Sequence, residues 1–187
     1  MRLAGTRSWE FRGDVGSATN AALYVRDALG LGPFADADVP PALAASVPDR
    51  SEQLGDAERV GASLEWLQSW RATAGHSPGA PVTPGGPFRS VWKEAYGWVG
   101  PARFEMVRAN PALIPWGILR DAVRAVARDR HVDEGDLRGS LDILLVRGEW
   151  WHVIRPGFVL ASAEAGRNPE TAARLVRACL ESGLGGA

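Results

Sequence analysis

The residues best equipped for chemistry lie close together in one short run: Glu149, Trp150, Trp151, His152 and, three positions on, Arg155. A neutral imidazole can take or give a proton near pH 7, and a carboxylate or guanidinium beside it can orient a charged group. Two indoles offer broad apolar faces with one N–H donor each. On an extended chain, Trp150, His152 and Ile154 fall on one face and Trp151, Val153 and Arg155 on the other. The two tryptophans therefore cannot share a sheet face. On a sheet with one wet face, one of them is exposed or covered by another element, and on a sheet covered on both faces both are packed. These five residues are the candidate ligand- or partner-binding group.

The rest of a catalytic apparatus is missing around them. There is no Gly-x-Ser-x-Gly nucleophile motif, so His152 has no hydroxyl to activate by that pattern. The single cysteine, Cys179, lies on an apolar helical stripe, which is the setting of a core thiol. Asp129, His131, Asp133, Glu134 and Asp136 are dense in possible metal ligands. Their spacing fits neither a calcium loop nor a closed coordination shell, so a helix end with an acidic capping turn is expected. Gly13 to Ser17 matches neither a P-loop nor a dinucleotide fingerprint and reads as a capped turn. No catalytic residue, cofactor or metal is expected.

Arg120, Arg124 and Arg128 repeat every four residues and could track phosphates. The formal net charge of −1 gives no general attraction to nucleic acid or to anionic membrane. The arginines are expected to be a solvated face, with Asp121 and Asp129 as partners. Basic residues are twenty Arg and one Lys, which together with abundant Ala and Gly suggests a GC-rich bacterial genome. One cysteine excludes a disulfide framework within the chain. The first residues carry no apolar leader pattern, and no run reaches the ~18 apolar residues of a spanning helix. A cytoplasmic protein is the simplest expectation.

Several elements must position the candidate group. Residues 7–12 alternate as a strand, and 17–29 read as a helix. A second helix is expected over 57–73 with an apolar stripe of Val60, Leu64, Leu67 and Trp70. Residues 74–87 hold four Gly and four Pro and read as a long loop within one domain, 1–187. Residues 88–98 are ambiguous, and 102–108 read as a strand. A helix from Pro115 to about Arg130 should bury Leu119, Ala122, Val123 and Val126. Residues 141–146 and 150–154 read as an antiparallel hairpin about Arg147-Gly148-Glu149, with 158–162 a third strand. Asn168-Pro169-Glu170 supplies an N-cap, an N1 proline and a first-turn acid for a last helix that should bury Ala172, Leu175, Val176, Cys179 and Leu180 and stop at Gly183. The expected class is α+β: an antiparallel sheet with a C-terminal β-hairpin, packed by about four helices.

Eight tryptophans in 187 residues mean either an aromatic-heavy core or a set of exposed stacking surfaces. Tryptophan is enriched at protein interfaces. The expected function is a non-catalytic interaction or regulatory protein with a protein partner, no membrane and no nucleic acid. The alternatives are a small ligand-binding protein or enzyme with a Trp-lined pocket around His152, and a winged-helix nucleic-acid binder. The last requires a helix in place of the 136–146 strand.

Overall fold

The computed structural model of the chain describes residues 9–75, 88–109 and 113–185. In chain order these form β1 (Glu10–Val15), α1 (Ser17–Ala28), α2 (Asp56–Gly75), α3 (Phe88–Ala109), α4 (Trp116–Arg130), β2 (Arg138–Leu144), β3 (Trp151–Arg155), β4 (Phe158–Ser162), α5 (Ala163–Arg167) and α6 (Pro169–Leu184). The class is α+β, with six α-helices among the described residues rather than about four. Two compact units result. One comprises Met1–Asp14, Asn110–Ile143 and Gly148–Ala187; the other comprises Val15–Ala109 and Leu144–Arg147. The Pro/Gly-rich stretch lies, from residue 76 onward, outside the described residues.

The first unit is built on a four-stranded sheet of order β1-β2-β4-β3. The sheet is mixed rather than all antiparallel, and β3–β4 is its antiparallel pair. A C-terminal hairpin exists, but it is β3–β4 turning through Pro156-Gly157, where Gly157 takes a φ of 71°. The expected hairpin of 141–146 with 150–154 does not form, because β4 lies between β2 and β3. Residues 145–147 bond elsewhere, within the second unit: Val146 bridges Leu43, and Arg147 N–H donates to the Ala42 carbonyl at 3.0 Å. They are thus unavailable for a tight turn. Every residue of β4 is buried, whereas every residue of β3 is half-buried at the sheet edge.

The capping signal of α6 translates directly into structure. The Asn168 side chain accepts from the N–H groups of Glu170 and Thr171, and Pro169 occupies the first turn. Ala172, Leu175, Val176, Cys179 and Leu180 are buried as expected. Each large aliphatic among them contributes about 1.5–3 kcal/mol by leaving water. The helix runs past Gly183 to Leu184, with Gly185 as its C-cap. Strand β2 occupies 138–144, so the helix that a winged-helix arrangement requires there is not formed.

The second unit centres on α1, which is buried almost all round. Two polar residues inside it tie the irregular segments down. Asn20 donates from Nδ2 to the Gly16 carbonyl at 2.7 Å and accepts from Leu145 N–H at 2.7 Å. Arg26, 5% exposed, donates to the Pro40 and Pro41 carbonyls and to Asp27. Asp27 in turn accepts from Leu43 N–H at 2.7 Å. The proline-rich wrap is thereby pinned to α1 by satisfied charges, as buried charges require.

Two helices here differ from the sequence-based expectation. Residues 102–108 continue α3 rather than forming a strand. Phe88, Val91, Trp92, Ala95 and Val99 recur at helical spacing and are buried. The helix carries on through Pro101 at the loss of one backbone bond, leaving Phe104 and Val107 exposed. In α2 the buried stripe is Ala62, Trp66, Trp70 and Thr73, while Val60 and Leu64 are exposed. The helix has two apolar faces, and α1 receives the one bearing the two indoles.

Candidate functional site

The five candidate residues diverge in their contacts. Trp150 and His152 share a face and stack at 6.4 Å with planes 19° apart. Trp151 stands opposite Ala161, and His152 opposite Leu160. A bulge between Val153 and Arg155 breaks the alternation, and the Arg155 guanidinium lies 4.8 Å from the Phe158 ring centre. Glu149 is turned away toward the start of α6. Its carboxylate accepts from Asn168 Nδ2 at 2.6 Å and from the Thr171 hydroxyl at 2.7 Å. The Thr171 and Asn168 hydrogen bonds hold its pKa below the usual glutamate value. Glu149 is a latch on a helix N-terminus, where negative charge is favoured.

The other sequence-level candidates have similar structural employment. Asp129 pairs with Arg128 at 3.2 Å and Arg177 at 3.0 Å, tying α4 to α6, and the Arg177 bond lowers its pKa. His131 caps α4 in the left-handed conformation, and Asp133 accepts from Gly135 N–H at 2.7 Å. Among the described residues no group of three or more His, Cys, Asp or Glu is placed to hold a metal ion. Arg120 pairs with Asp121 at 3.0 Å. Burial raises the Cys179 thiol to about 11, so it stays protonated and poorly nucleophilic at neutral pH.

A second aromatic pair, on which sequence reasoning was silent, is more open. Trp9 and Trp116 stack at 4.9 Å with planes 25° apart, and Trp116 is 64% exposed. Trp9 leads into β1, and by strand alternation it shares a face with Phe11 and Gly13. Trp116 opens α4, and Leu119 lies one turn further along the same side. Phe11, Gly13 and Leu119, together with Leu113, Ile114 and Leu141, line an open hollow of about 220 Å³. The stack and the hollow thus draw on the same two elements of the first unit, β1 and α4.

One lining residue, Phe11, is closely packed against β2. A Cβ placed on Gly139 of β2 would stand 2.7 Å from the Phe11 ring and 3.2 Å from Cys179 Sγ. Any other residue there would force the ring to shift. On the other face of β1, Arg12 Nε pairs with Glu10 at 2.7 Å. The only sequence signal for this site was period two over residues 9–13; that Trp116 meets Trp9 follows from the fold, not from any local pattern.

No protein-family model, no curated protein and no solved structure matches this chain. The site is therefore read from its own geometry.

Proposed function

We propose that the protein is a non-catalytic interaction protein that engages a protein partner through a Trp-containing surface. The observation that carries this reading is the Trp9–Trp116 stack, its outer indole largely in water, beside an apolar hollow. A soluble chain has little reason to expose a large aromatic next to further apolar surface unless something covers both. The hollow suits one apolar anchor side chain from a partner, with the indoles packing around it as interface aromatics do. Trp150 and His152 form a second, half-buried aromatic patch on the same unit. The arginine bias supports a bacterial source and the lone buried cysteine a cytoplasmic setting.

The test is capture from a bacterial lysate by the intact chain and by Trp116→Ala, followed by quenching of the purified complex with acrylamide. The reading expects a partner retained by the first, lost by the second, and protecting one accessible indole. A partner bound equally by both chains would move the surface elsewhere.

A further inference from the structure

We propose that α2 is a self-association helix that pairs antiparallel with α2 of a second copy of this chain. The proposal concerns the second unit and does not rest on the tryptophan surface described above. On α2, Ala57, Val60, Leu64, Leu67 and Arg71 recur with spacing three, four, three and four, the seam pattern of a two-helix coiled coil. This seam is separate from the Ala62, Trp66 and Trp70 stripe that α2 buries against α1. Val60 is 67% exposed and Leu64 61% exposed. A surface helix ordinarily turns polar residues outward. Gly61 flanks the seam with open space where a Cβ would stand, so a partner backbone can approach closely.

Self-complementarity and charge select the occupant and its direction. Laid antiparallel, the seam matches Ala57 with Leu67 of the other copy and Val60 with Leu64, giving four apolar layers in succession. The N-terminal end carries Asp56 and Glu58 in its first turn; Asp56 is fully exposed, although Arg59 also pairs with it at 3.3 Å. Arg71 closes the other end with its side chain half exposed, although it also reaches Asp36 and Asp38. Antiparallel pairing brings each acidic end to an Arg71 and opposes the helix dipoles favourably. Parallel pairing would set like ends together. With a net charge of −1, two copies carry little overall repulsion.

The test is sedimentation velocity of the full chain over a wide concentration range, with Leu64→Glu as the disrupting variant. Leu64 faces solvent, so the variant should keep the wild-type circular dichroism and the Trp66–Trp70 fluorescence. The expected result is a concentration-dependent dimer that Leu64→Glu weakens by about tenfold or more. Direction is read from oxidative cross-linking of Ala57→Cys and Leu67→Cys chains, the native Cys179 being buried. A mixture that cross-links between the two variants, but not within either, supports the antiparallel pair. Cross-links within each variant alone overturn the direction. A chain that stays monomeric at every concentration, or a dimer indifferent to Leu64→Glu, overturns the proposal and leaves the stripe to a different protein.

Discussion

Two tryptophan pairs in this molecule have the same chemistry and opposite circumstances. Trp66 and Trp70 stack at 5.7 Å with planes 8° apart, one helical turn from each other, and both are almost wholly buried. Each indole N–H is used: Trp66 donates to the Ala22 carbonyl at 2.7 Å and Trp70 to the Asp38 carbonyl at 3.1 Å. Phe34 packs on Trp66 at 5.0 Å, and the Arg26 guanidinium lies 5.7 Å from the Trp66 ring centre. Trp9 and Trp116 come from distant parts of the chain, and the outer ring faces water. The comparison teaches that stacking alone does not mark a site. What separates the two pairs is burial: both rings of the first are packed with their donors used, whereas Trp116 of the second is 64% exposed.

Trp66→Ala breaks the comparison on its structural side. It empties a core position and removes the indole donor to the Ala22 carbonyl, so a loss of about 4 kcal/mol in urea-unfolding stability is expected. A loss below about 1 kcal/mol would show that the second unit does not depend on the pair. Arg26→Met comes next. It leaves the Pro40 and Pro41 carbonyls without their donor and Asp27 without its counter-ion, for an expected loss of about 3 kcal/mol in the same measurement. Trp116→Ala is the counterpart on the open side. Only the stack is lost, so stability should fall by about 1 kcal/mol or less, while the acrylamide-accessible fraction of the fluorescence drops.

The smallest effect expected is that of Glu149. Its folded-state pKa lies below its unfolded one, through its bonds to Thr171 and Asn168. The stabilisation is therefore fully present above the ordinary value of 4.5 and is lost as pH falls through the folded value. Unfolding midpoints of the wild type should fall more steeply below that pH than those of Glu149→Gln, with the two alike in slope at neutral pH. Parallel acid profiles would show that the latch does no work.

What could be read from the sequence tracks how local its cause is. The last helix was legible because Asn168, Pro169 and Glu170 state its start within three residues, and its stripe has one apolar face. The second helix was legible in extent but not in orientation. Val60, Leu64 and Leu67 compete with Ala62, Trp66 and Trp70, and only packing on α1 decides which face goes in. Residues 102–108 mimic period two, yet they continue a helix already committed by Val91, Ala95 and Val99. The sheet order was not legible, since nothing within 141–162 signals that the third strand inserts between the first two. Trp150 and His152 were placed on one face correctly by alternation, whereas the Trp9–Trp116 site required the fold to bring a strand and a helix start together.

Gly139 sets a limit on that open surface. The Phe11 ring rests on a strand position with no side chain, at a distance where even one methyl group would overlap it. Any side chain at position 139 would displace the ring, and with it the Phe11 wall of the hollow. The contour of the open surface is thus fixed by a residue that contributes nothing to its lining.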